Sequence, residues 1–215
     1  MRGYKAVVAG LVLAASASTA FAAAPTKPEP TKKLAEQSIV FAGGCFWGIQ
    51  SVFEHTKGVT SAVSGYSGGF TDKPSYEQVS SGRTGHAESV KVTFDPAQVS
   101  LDQLMQIFFS VAHDPTQLNR QGPDVGTQYR SMVVYMNDAQ KAEVSSFITK
   151  LGKDRAYGGK QIVTQVVPYK VFFPAEAYHQ HYAELHPNDL YIRINDAPKV
   201  AALKREFPSL YREIK

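Results

Sequence analysis

A second cysteine is the clearest thing missing from this sequence: Cys45 is alone among 215 residues. No disulfide can form within the chain, so an ordinary core has to hold the fold. Tryptophan is equally scarce, and Trp47 stands beside Phe46, close to the cysteine. An excess of either charge is missing too. The 23 basic residues face 19 acidic ones, and Arg2 and Lys5 fall in the N-terminal segment. The remaining charges are interspersed, which excludes a nucleic-acid-binding face. There are no internal repeats and no Gly-x-Gly-x-x-Gly loop of a nucleotide fold. The apolar run Ala6 to Ala15 is too short and too alanine-rich for a membrane span of about 20 residues. With its basic start and the small-x-small string Ala20-Phe21-Ala22, it reads as a secretory signal over residues 1–22. Export, to the periplasm if the source is bacterial, with no stable membrane insertion after cleavage, is the expectation. Residues 23–37, with Pro25, Pro28 and Pro30, read as a flexible leader. Residues 38–215 are expected to form a single domain.

What is present gathers around Cys45. Ser38-Ile39-Val40-Phe41-Ala42 is short, apolar and partly β-branched, which predicts a buried strand. Cys45, Ile49, Val52 and Phe53 recur at helical spacing, so the cysteine starts a helix entered through Gly43-Gly44. Free N–H groups and the positive dipole end at that position favour thiolate over thiol. A lone cysteine is more often inert core filler than a reagent. Here the small residues before it and the aromatics after it favour a reactive group beside an apolar pocket.

Downstream, Val59–Tyr66 predicts a strand, Ser75–Ser80 a helical turn, and His86–Phe94 a strand whose Glu88, Val90, Val92 and Phe94 share a face. Ser100 and Gln103 make a capping box for a helix with Leu101, Leu104, Met105 and Phe108 inward. A long polar connection, Asp114–Gln128, follows. Strands over 131–135 and 163–167 alternate with helices opening at Asn137, spanning Pro174–Leu185, and covering Val200, Leu203 and Phe207. The pattern predicts an α+β fold with a mixed, mainly antiparallel sheet and helices packed against it. His179, His181 and His186 do not share a helix face, and with no second cysteine nearby no metal site is expected. Glu88, facing the core, would be costly to ionise and would be held protonated by desolvation. The alternative is a strand-end glutamate curling into solvent.

The string Gly43-Gly44-Cys45-Phe46-Trp47-Gly48 resembles the signature of the A-type peptide methionine sulfoxide reductases. The resemblance continues through Gly65-Tyr66-Ser67-Gly68-Gly69, Gly85-His86-Ala87-Glu88, the run Asp124–Ser131 and Tyr178-His179-Gln180. It implies a two-layer, ferredoxin-like core and reduction of methionine S-sulfoxide, free or in oxidised proteins, through a Cys45 sulfenic acid. It makes Glu88 the acid, gives Tyr66 and Tyr129 hydroxyls to the substrate oxygen, and sets the substrate methyl against Phe46 and Trp47. Asp124 would help hold the substrate or the second thiol, and His86 would support its turn. No cofactor is implied. Many family members carry further C-terminal cysteines that resolve the sulfenic acid, and Tyr178–Lys215 contains none. An external thiol, such as a thioredoxin-like or glutaredoxin-like protein, is therefore expected to recycle Cys45. Two other readings fit a lone cysteine: a thiol peroxidase, and a non-catalytic exported binding domain.

Overall fold

Alternate residues of the first strand, β1 (Gln37–Ala42), bury against different partners, and this sets the architecture. Ile39 and Phe41 join the main core with the helices, whereas Val40 and Ala42 pack on the other side with Met132, Val134 and Phe172. A strand buried on both faces needs the unbroken apolar run seen in the sequence. The computed structural model describes residues 35–214, so the expected signal, 1–22, and most of the leader lie outside the described residues.

After β1 come α1 (Phe46–Glu54), β2 (Val59–Ser67), α2 (Tyr76–Ser80), β3 (Ala87–Phe94) and α3 (Leu101–Ile107). A short hairpin of β4 (Arg120–Gln121) and β5 (Asp124–Val125) precedes β6 (Met132–Tyr135) and α4 (Asp138–Lys153). β7 (Gln165–Pro168), β8 (Phe172–Pro174), α5 (Tyr182–Leu185) and α6 (Ala197–Glu206) complete the order. The main sheet runs β7-β6-β1-β3-β2-β8. Only the β6–β7 pairing is parallel, so the α+β fold with a mixed, mainly antiparallel sheet is as expected.

Capping chemistry places the short helices. Ser75 with Gln78, and Ser100 with Gln103, form complete capping boxes at α2 and α3. In α4, Val144 is buried, with Phe147, Ile148 and Leu151 against the core. Two expectations are corrected. The long connection 114–128 holds the β4–β5 hairpin, tied down by Gln121, which accepts from the Asp114 N–H and donates to its carbonyl. The helix expected over Pro174–Leu185 is broken into the end of β8, a 3-10 turn at Ala177–His179, a left-handed His181 (φ 57°) and the single turn of α5. Tertiary hydrogen bonds overrule helical propensity there. The Gln180 amide donates to the carbonyls of Ser64 and Ala175 and accepts from the Ser64 N–H, which pulls the chain onto the edge of the sheet.

Candidate active site

Cys45 occupies the N-cap position of α1, reached through Gly44 at φ +106°, a conformation that favours glycine. The backbone N–H of Trp47 favours the charged form of the cysteine, although no side-chain cap bond closes on the sulfur. The larger effects run the other way. Burial first, then the negative charges of Glu88 and Asp196, push the Cys45 thiol well above its ordinary value, against a smaller opposing pull from Lys199. The expected thiolate preference of the helix start is therefore corrected. A helix terminus contributes about 0.3–1 kcal/mol, less than burying a charge costs after relaxation, which is several kcal/mol. Cys45 nevertheless keeps 9% of its surface exposed.

Glu88 sits on β3 opposite Tyr66 of β2, with Val90, Val92 and Phe94 following it into the core. Its carboxylate is 2% exposed, and Oε2 accepts the N–H of Phe46 at 3.0 Å, immediately after the cysteine in sequence. Burial pushes its pKa up to about 8, the Phe46 N–H opposes this, and the charges of Asp124 and Asp196 add to it. The core-facing reading of Glu88 thus describes its position. At neutral pH most of it carries a proton to give.

The aromatic wall is continuous. Trp47 stacks on Tyr182 (centroids 3.8 Å apart, planes at 12°), meets Tyr191 edge-on, and donates from Nε1 to His179 Nδ1 at 3.1 Å. That bond puts the ring proton of His179 on Nε2, which is buried and has no partner. Phe46 is almost fully buried and packs near both Tyr66 and His179. The other two histidines of this segment go elsewhere, His181 to the Glu54 carboxylate at 2.6 Å and His186 against the Tyr182 ring. Among the described residues no group of three metal-ligating side chains forms.

The tyrosines divide. Tyr66 is fully buried and its hydroxyl donates to Glu176 Oε2 at 2.7 Å, so that hydroxyl is engaged. Tyr129, in the 3-10 turn Thr127–Tyr129, has its phenol pushed up by burial and by Glu88, Asp124, Tyr76 and Cys45. Burial, Glu88 and Cys45 likewise push up Tyr76, the first residue of α2, whose ring lies 4.3 Å from that of His179. Sequence reasoning missed Tyr76, although the capping box fixes its place at the start of α2. Asp124 accepts the hydroxyl of Tyr191 and so joins the long loop to the Trp47 wall. His86 supports its turn, accepting from the Gly69 N–H through Nδ1 and bonding the Thr71 carbonyl through Nε2.

Asp196 and Lys199, also missed, are paired at 3.0 Å beneath α1. A Cβ on Gly48 would lie 2.1 Å from Asp196 Oδ1 and 2.9 Å from Lys199 Nζ, so this glycine makes room for the pair. A surface cavity of about 600 Å³, lined by residues including Glu54, Ala62, His181 and Arg212, touches neither Cys45 nor Glu88.

A buried thiol, a buried protonated carboxyl, two phenols and an apolar wall can receive a small polar group and exchange oxygen with it. Comparison with known proteins agrees. The family model described as peptide methionine sulfoxide reductase matches residues 37–210. "Peptide methionine sulfoxide reductase MsrA 2" of Mesorhizobium japonicum is 56% identical over 177 residues, covering 82% of this chain and 90% of that protein. A Pasteurella multocida protein named peptide methionine sulfoxide reductase MsrA is 45% identical, with 82% and 99% covered. Among solved structures, the reduced form of Mxr1 from Saccharomyces cerevisiae superposes with a TM-score of 0.67 at 35% identity, covering 75% of this chain and 90% of that one. Methionine sulfoxide reductase A of Corynebacterium diphtheriae gives 0.67 at 35%, with 71% and 76% covered.

Proposed function

The chain belongs to the family of A-type peptide methionine sulfoxide reductases and reduces the S epimer of methionine sulfoxide, and we propose that Cys45 and Glu88 carry the reaction. The observation that carries this reading is the buried Glu88 carboxyl on the N–H next to Cys45, with its pKa raised to about 8. A sulfoxide with its methyl against Phe46 and Trp47 directs its oxygen toward Glu88. Tyr76 and Tyr129 replace Tyr66 as the phenolic donors, because the Tyr66 hydroxyl is held by Glu176. The Cys45 sulfur attacks the sulfoxide sulfur while Glu88 gives its proton to the oxygen, and the thiol proton restores Glu88. In the resulting adduct the hydroxyl passes from the substrate sulfur to the cysteine sulfur as the new sulfur–sulfur bond breaks, and its electron pair stays on the substrate sulfur. Methionine leaves, and Cys45, oxidised by two electrons, is left as a sulfenic acid.

Recycling follows from the single cysteine. An external thiol attacks the sulfenic acid, water leaves, and a second thiol frees Cys45 from the mixed disulfide. Asp124 acts through Tyr191, fixing the Trp47 wall rather than touching the reacting atoms. The signal-like segment 1–22 supports export, with residues 38–215 carrying the activity. The strand order β6-β1-β3-β2, antiparallel throughout, supports reading the core as ferredoxin-like with two layers.

The test is a single turnover without added reductant, using a methionine sulfoxide resolved at sulfur and a dimedone-type trap. About one methionine per protein, from the S epimer only and with Cys45 trapped, is expected. A folded protein that yields methionine while Cys45 stays untrapped would sink the sulfenic route.

A further inference from the structure

Arg130 is an unusual cation. It is 9% exposed, and among the described residues no carboxylate lies within ion-pair distance of it. Its guanidinium is satisfied by neutral acceptors alone. Nη1 donates to the Thr127 carbonyl at 2.9 Å, Nη2 to the Gly85 carbonyl at 3.0 Å and more weakly to Gly68 at 3.5 Å, and Nε to Gln165 Oε1 at 3.2 Å. Burying a charge with no ion-pair partner is expensive. The segments it joins are informative. Thr127 opens the 3-10 turn that ends in Tyr129, and Gly85 leads directly into His86-Ala87-Glu88. A planar fork has a fixed spacing between its donors, which a flexible ammonium lacks.

We propose that Arg130 is a positioning residue that fixes the Tyr129 hydroxyl relative to the Glu88 carboxyl by clamping the turn of one to the strand entry of the other. The inference rests on the reading of Tyr129 as a donor to the sulfoxide oxygen. A second tie on the same turn, Gln128 Nε2 to the Ser80 carbonyl at 3.1 Å, joins it to the end of α2, so Arg130 supplies the anchor on the Glu88 side.

The test is a double-mutant cycle on the single-turnover rate, with Tyr129→Phe, Arg130→Met and the double variant. Losing a donor aimed at developing charge slows Tyr129→Phe on the order of 100-fold. Misplacing that donor slows Arg130→Met on the order of 10- to 100-fold, with half-saturation by substrate changing less than about twofold. The double variant is then no slower than Tyr129→Phe, because Arg130 has nothing left to position. Arg130→Lys, which keeps the charge without the fork, stays as slow as Arg130→Met and provides the same cycle if the methionine variant does not fold. Losses that multiply in the double variant, or an Arg130→Lys at wild-type rate, overturn the inference. Tyr129→Phe at wild-type rate overturns the underlying reading of Tyr129 instead.

Discussion

At the scale of single residues, the site's chemistry lies in one competition between charges. Cys45 and Glu88 share a buried environment in which a negative charge on either disfavours one on the other. Keeping Glu88 protonated thus both stores the proton the reaction needs and removes a charge that opposes the thiolate. Glu88→Gln separates these roles. Its single-turnover rate is expected to fall by about 100-fold or more, with loss of the activity limb that declines above about pH 8. The same variant lowers the apparent pKa of Cys45, read as the pH dependence of its alkylation by iodoacetamide, because a charge that raised it is gone. A Glu88→Gln protein with the full rate would remove Glu88 as the acid.

At the scale of elements, the start of α1 depends on what packs beneath it. Gly48 is the third residue of that helix, the position where a capping box would place a long side chain, and the Asp196–Lys199 pair fills the space instead. Helix propensity alone says that Gly48→Ala should stabilise, by about 1 kcal/mol. The close approach of the pair decides otherwise, because a methyl there must displace a carboxylate buried to 0% exposure. We expect Gly48→Ala to lower unfolding free energy by about 1–3 kcal/mol, measured in urea. A stabilised variant would mean that α6 moves aside without cost.

For the molecule as a whole, two buried groups pull stability in opposite directions with pH. Burial holds His113 down at about 4, bonded to the Phe108 carbonyl and Ser131. Its folded value is depressed, so its contribution is present above about pH 6.5 and is lost as pH falls toward 4. The folded value of Glu88 is raised, so its contribution is present below about pH 4.5 and is lost as pH rises through about 8. The two slopes oppose one another between about pH 4.5 and 6.5, and from 6.5 to 8 only the Glu88 slope remains. Wild-type Tm is expected to fall across that upper window, and Glu88→Gln to flatten the fall. An unchanged slope in Glu88→Gln would show that other groups set it.

Local chemistry was enough for much of this. The β1-turn-α1 unit, the capping box of α3 and the inward face of β3 each depend on residues a few positions apart, so periodicity and cap chemistry specify them. The cysteine at the start of α1 and the core-facing glutamate of β3 were legible for the same reason. The side-chain settings around them were not. The Tyr66 hydroxyl is taken by Glu176, 110 positions away, and Trp47 is oriented by His179, 132 positions away. Gln180 unwinds an expected helix to reach Ser64, 116 positions earlier. Burial likewise reversed the thiolate preference that the helix start suggested, because desolvation depends on everything packed around the sulfur. The sequence by itself determined which groups are present and which short elements display them. Only the tertiary structure decided that the Tyr66 hydroxyl is taken up by a distant carboxylate, and at what pH the Glu88 carboxyl still holds its proton, since contacts between distant segments and the exclusion of water leave no local pattern.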